Sequence, residues 1–169
     1  INRIAALFVM VSFGLNQGMQ PIAGYNYGAR QMDRVNRVLK LTIFLATGVM
    51  MFSFTICELF PHAVASVFTN DEDLINKAVQ GLRIVMVTFP IVGFQMVTSN
   101  FFQSIGLPGK AIFMSLSRQV LFLLPGLLIL PSLFGVRGVW YSMPVADFLA
   151  SIVATYLLIA QYRKVIIKQ

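Results

Sequence analysis

Charge is scarce in this chain. Of its 169 residues only 11% are Asp, Glu, Lys or Arg, against 57% hydrophobic, with a mean hydropathy of +0.78. Ordinary soluble domains carry about a quarter charged residues, and one globular core of this length does not hide so much apolar surface. A lipid surround does. Cysteine is nearly absent as well: Cys57 stands alone in an apolar run, which excludes an internal disulfide and a cysteine metal site and leaves a small core residue. There is one histidine, His62, and no Cys/His metal spacing, HExxH, GxGxxG, nucleophile elbow or glycine loop ending in Lys-Ser/Thr. Catalysis, a bound metal and an organic cofactor are therefore not expected. No charged stretch, short apolar stretch and cleavage site follow Ile1, so a signal peptide is not expected either. The opening inside an apolar run points to a piece of a longer protein.

What is present is apolar length. Five runs lie near the roughly 20 residues that cross a ~30 Å hydrocarbon layer: about Ile4–Tyr25, Leu41–Phe60, Ile84–Phe102, Ala111–Leu130 and Val139–Ala160. They are too long for strands and do not alternate, so the expected fold is an all-α integral membrane bundle of five transmembrane helices. The connections carry Gly, Pro and charge: Asn26–Lys40 is basic, Pro61–Lys77 acidic, and Gln103–Lys110 and Pro131–Gly138 hold glycines and prolines. Thr69 and Glu72 have capping-box spacing, which predicts a helix starting near Asn70 and running into the third span.

The net charge of +7 would suggest nucleic acid in a soluble protein, but here the basic residues cluster between apolar runs, and no nucleic-acid partner is expected. Five helices in series place eight of them on one side (Arg30, Arg34, Arg37, Lys40, Lys110, Arg163, Lys164, Lys168) and four on the other (Arg3, Lys77, Arg83, Arg137). Short loops rich in Lys and Arg stay cytoplasmic. The chain is thus expected to be multi-pass in the plasma (inner) membrane, with its C-terminus inside.

Arg118 and Asp147 are the ionisable residues expected at membrane depth. Arg118 lies eight residues after Lys110 at the inner end and Asp147 eight after Val139 at the outer end, so their levels differ by about 6 Å in a ~30 Å layer. Such groups are costly in lipid and are paired or face water. Two roles stand open for the pair: a structural tie between the fourth and fifth spans, or a part in ion or substrate coupling. Glu58 and His62 around Pro61 read as a solvated helix end. Uncharged polar residues also fall at helical spacing. Ser12, Asn16 and Gln20 share one line with Gln17 beside it, and Thr88, Gln95 and Ser99 share a face with Thr98, Asn100 and Gln103 adjoining. Two such stripes predict a water-filled cavity, with Asn16, Gln17, Gln20, Gln95, Ser99 and Asn100 as the substrate-cavity candidates. Gly14/Gly18 and Gly24/Gly28 are GxxxG pairs that predict close helix packing. Pro21, Pro90, Pro125 and Pro144 lie within spans and predict bends.

The order of motifs GLNQGMQPIAGYNYGAR, VFTNDEDLINKAVQGLRI, NFFQSIGLPGKAIFMSLSRQ and FGVRGVWYSMPVADFLAS, separated by apolar spans, resembles the second half of a multidrug and toxic compound extrusion (MATE) transporter over essentially the whole chain. The resemblance implies a twelve-helix, two-lobe transporter of which residues 1–169 form part of the C-terminal lobe, helices eight to twelve, the missing N-terminal helices of the same protein being its partners. It implies export of small organic, often cationic, drugs or toxins by proton- or sodium-coupled antiport with alternating access. Some members hold the coupling cation on acidic residues of helices seven and ten; the stretch Pro90–Asn100 has no carboxylate, and helix seven lies outside the chain. Two alternatives are a flippase for lipid-linked or polysaccharide precursors, which would want a more basic cavity, and a non-transporting membrane scaffold.

Overall fold

The computed structural model describes residues 2–69 and 71–167, and every regular element among them is helical. In chain order these are α1 (Asn2–Gly28), α2 (Met32–Leu59), short α3 (Pro61–Ser66), α4 (Glu72–Met86), α5 (Phe89–Ser104), α6 (Pro108–Leu116), a π-helical segment (Ser117–Leu123), α7 (Leu124–Phe134) and α8 (Val136–Ile167). α2, Pro108–Phe134 and Val136–Arg163 are each long and apolar enough to cross a membrane, and α4 with α5 makes a fourth path bent by 53°. α1 has 27 residues, about 40 Å of helix, but its amide side chains dilute its apolar character and it falls outside that set. Length and composition together therefore support four of the five expected spans among the described residues.

The helices outrun the apolar runs that predict them. α2 begins at Met32 rather than near Leu41, so Arg34, Arg37 and Lys40 ride on its first turns and not in a loop. Hydropathy marks the hydrocarbon boundary, whereas the backbone keeps its helical bonds beyond it. The turn before α2 is correspondingly tight. Arg30 N donates to Tyr27 O (3.1 Å) and Gln31 N to Asn26 O (2.9 Å), the bond pair that closes a helix around a left-handed residue. That residue is Arg30, at φ 58°, where glycine is usual. α5 closes with the same pair, Gly106 N to Gln103 O and Leu107 N to Phe102 O, around Gly106 at φ 76°.

The third span is not one helix starting near Asn70, a residue outside those described. α4 is capped by Asp71, whose carboxylate accepts from Asp73 N (3.0 Å) and Leu74 N (3.3 Å), while Thr69 Oγ1 accepts from Asp71 N. Asp71 beats the expected Thr69–Glu72 box because it sits one residue before the first helical turn and brings a charge to the positive helix end. At Val87–Thr88 the path breaks, for Pro90 has no N–H for Met86 O and its ring crowds that carbonyl. A second proline acts differently. Leu124 N reaches back to Gln119 O, an i−5 bond, and Pro125 follows at once; the widened turn gives its ring room against the carbonyl of Leu121.

Two buried clusters hold the array together. One joins Met19, Leu39, Val97, Phe102, Met114 and Ala154 from five helices; the other joins Met50, Cys57, Leu82, Met86 and Phe89, with Trp140 and Met143 packed on it. The buried stripe of α2 (Val35, Leu39, Thr42, Ala46, Met50, Ser53, Cys57) keeps a three-and-four spacing, one face of a helix. Its other faces are apolar too: Phe44 is 75% exposed, and Leu128 on α7 71%. A surface so rich in bare Phe, Leu and Ile is one that lipid solvates. Of the GxxxG glycines only Gly24 meets a neighbour, where a Cβ would lie 2.9 Å from Ser104 O of α5; Gly14, Gly18 and Gly28 face open space. The packing expected of Gly14/Gly18 is absent among the described residues because that face of α1 has no helix against it.

Candidate functional site

Asp147 sits on α8 one turn after Pro144 with its side chain 7% exposed. Burying a carboxylate costs several kcal/mol unless its oxygens are paired, and both are. Arg118 Nε of the π segment lies 2.6 Å from Oδ1, and Thr88 Oγ1 donates to Oδ2 at 3.3 Å. Gln95 Nε2 of α5 donates to the Asp147 backbone carbonyl. Three irregularities of the fold therefore meet at one residue: the α4–α5 break contributes Thr88, the π segment contributes Arg118, and Pro144 precedes Asp147 itself. Where an α-helix lends its own N–H and C=O groups to itself, a broken one leaves side chains near the break free to turn inward.

Arg118 is amphibious. Its side chain is 42% exposed and forms part of the wall of a cleft of about 510 Å³ between α5 and the α6–π segment, within the ~300–1,000 Å³ of small-molecule sites. The polar wall comprises Gln95, Ser99, Asn100 and Gln103 from α5 and Ser115, Arg118 and Gln119 opposite; Phe13, Met96 and Ile112 are among the apolar remainder. No Asp or Glu lines it among the described residues.

The sequence candidates separate into three groups. Gln95, Ser99, Asn100 and Arg118 line the cleft together, with Asp147 behind Arg118. Gln20 stands beside it: its Nε2 donates to Asn100 Oδ1 at 2.9 Å, and Asn100 Nδ2 in turn donates to Met96 O. Asn16 and Gln17 are elsewhere. Asn16 is 1% exposed, bonded to Ser12 O, and its Oδ1 has no partner among the described residues, while Gln17 is on the exposed face of α1. Helical spacing alone does not say which stripe meets a neighbour, and Gln17 lies about 100° around from the side that does. Sequence reasoning passed over Ser115 and Gln119. Arg118 and Gln119 are adjacent on the π segment and both reach the wall, as the adjacent pairs Gln95–Met96 and Ser99–Asn100 of α5 do. Glu58 pairs with Arg83 across 3.8 Å at the surface, and His62 is exposed, in keeping with a solvated helix end.

Against known proteins, a family model described as MatE matches residues 1–128. The multidrug export protein MepA of Staphylococcus aureus (strain MSSA476) is 26% identical over 156 residues, 90% of this chain and 33% of the relative. MepA of Staphylococcus haemolyticus (strain JCSC1435) is 22% identical over 155 residues, 92% and 34%. Among solved structures, a ligand complex of the MATE multidrug transporter DinF-BH superposes with a TM-score of 0.87 at 40% identity, covering 94% of this chain and 35% of that one. The outward-facing conformation of a multidrug resistance MATE family transporter of the MOP superfamily gives 0.88 at 23% identity, with 96% and 37% covered, a likeness of fold alone. The chain spans about a third of the length of these relatives.

Proposed function

The chain belongs to the MatE family, and from that premise we propose that it is the C-terminal-lobe portion of a membrane exporter of small organic molecules, working by antiport against protons or sodium. The names of the MepA relatives support multidrug export. The observation that carries the reading for this chain is the cleft: a polar wall of amides and hydroxyls, set among aromatic and aliphatic side chains, backed by a buried carboxylate. Amphipathic ligands need that mixture, apolar contact for most of their surface and a few placed polar groups for orientation. Among the described residues the cleft bears one guanidinium and no cluster of cations, which favours drug-like molecules over pyrophosphate-linked lipids.

Asp147 and Arg118 are the coupling candidates of this portion. An ionisable pair at membrane depth, tied to a helix break and a π segment, is where a bound proton or sodium ion alters helix geometry most directly. Bias of Lys and Arg toward one side supports a cytoplasmic C-terminus in the inner membrane.

The test is efflux from proteoliposomes carrying the full-length protein, with proton and sodium gradients imposed separately. One of the two gradients drives export, and Asp147→Asn lowers that export at least tenfold while the protein still accumulates in the membrane. Full activity of Asp147→Asn removes Asp147 from coupling, and export under neither gradient rejects antiport.

A further inference from the structure

The Arg118 guanidinium is only partly used. Arginine carries five N–H donors in a planar fork; the Nε donor is committed to Asp147 Oδ1, and the terminal nitrogens have no protein partner among the described residues. Asp147 is not among the residues that line the cleft: each of its oxygens accepts one bond, from Arg118 or Thr88, and its side chain is buried behind them. The wall around the fork consists of neutral amides and hydroxyls, with no carboxylate among the described lining residues. A cationic group entering here finds no anion to pair with. A carboxylate finds four N–H donors on the terminal nitrogens, a fork of fitting geometry that it reaches without displacing Asp147 from Nε. Paired parallel N–H···O bonds of this kind are short, directional and about twice as strong as neutral ones.

We propose that the free edge of Arg118 is a subsite for the carboxylate of an amphipathic ligand, so that this cleft selects acidic or zwitterionic aromatic molecules over purely cationic ones. The ring system of such a ligand lies against Phe13, Met96 and Ile112, and Gln119, next to Arg118 on the wall, supplies a further amide. The π segment carries both Arg118 and Gln119 on the cleft wall. The proposal rests on the transport reading above, in that it names which ligands the cleft prefers.

Two dyes that differ at one group provide the test: a cationic rhodamine ethyl ester and the corresponding free acid, with the same xanthene ring and a carboxylate. Their affinities for the purified full-length protein are compared as a ratio, so that a loss of folded protein lowers both and leaves the ratio intact. The free acid binds about tenfold more tightly than the ester, as a charge-assisted hydrogen-bond pair implies. Arg118→Lys, which keeps the charge and loses the fork, cuts the ratio; the double variant Arg118→Gln/Asp147→Asn, which removes both charges together, brings it to one. Arg137→Gln, outside the cleft, keeps the native ratio. Equal affinities in the native protein overturn the subsite, and so does a preference that survives the double variant; either result shows the cleft filled by another part of the full chain or the carboxylate bound elsewhere. A protein that binds neither dye overturns the subsite and the transport reading together.

Discussion

At the scale of single residues the decisive fact is that Asp147 is buried with a partner on each oxygen while Arg118 is shared between it and the cleft. Removing one member of such a pair is far worse than removing both, because the survivor keeps its desolvation cost and loses its compensation. Arg118→Ala therefore destabilises the full-length protein by about 3 kcal/mol, seen as a fall in thermal midpoint and in membrane accumulation. Exchange of the two residues, Arg118→Asp with Asp147→Arg, recovers accumulation well above that of either single exchange. Equal loss in single and double variants would show that the two side chains act independently. Both ionisable residues could be picked out in the sequence from their depth in apolar runs. Thr88 and Gln95 could be placed only on a polar face, because their bonds to Asp147 cross between helices far apart in the chain.

At the scale of elements, breaks and turns matter more than the regular helices between them. Two helix ends close by the same pair of bonds, one around Gly106 and one around Arg30. Holding a side chain in the left-handed region costs roughly 1–2 kcal/mol. Arg30→Gly thus raises stability by about 1 kcal/mol and Gly106→Ala lowers it by a similar amount, read as opposite shifts of the thermal midpoint. A destabilised Arg30→Gly would mean that the arginine side chain itself anchors the turn. Prolines announced that the helices would be irregular but not how. Pro90 ends a helix and produces a 53° bend, Pro125 sits behind a π segment, and Pro21 and Pro144 lie inside continuous helices. The same ring clash has several resolutions, and neighbouring helices choose between them.

At the scale of the whole molecule, the helices turn many apolar side chains outward, and the order of spans along the sequence sets eight basic residues on one expected side against four on the other. That asymmetry makes a directional forecast. In a Cys57→Ala background of the full-length protein, a membrane-impermeant maleimide added to intact cells labels Ser66→Cys, at the end of α3, and reaches Gln31→Cys, before α2, only after the membrane is permeabilised. The reverse pattern would reject the orientation. Membrane residence, helical class and the charge bias were already determined by the sequence alone, for they depend on composition along one run of chain: lipid accepts long apolar helices and little else. The cleft was decided by tertiary structure. Asn16, Gln17 and Gln20 look equivalent as a sequence, yet one is sealed in the core, one faces outward and one bonds to the cleft wall. Arg118 stands between Asp147 of α8 and that wall only because the π segment packs against α8. Which face of a helix meets another depends on contacts between distant residues, and a local pattern carries no record of them.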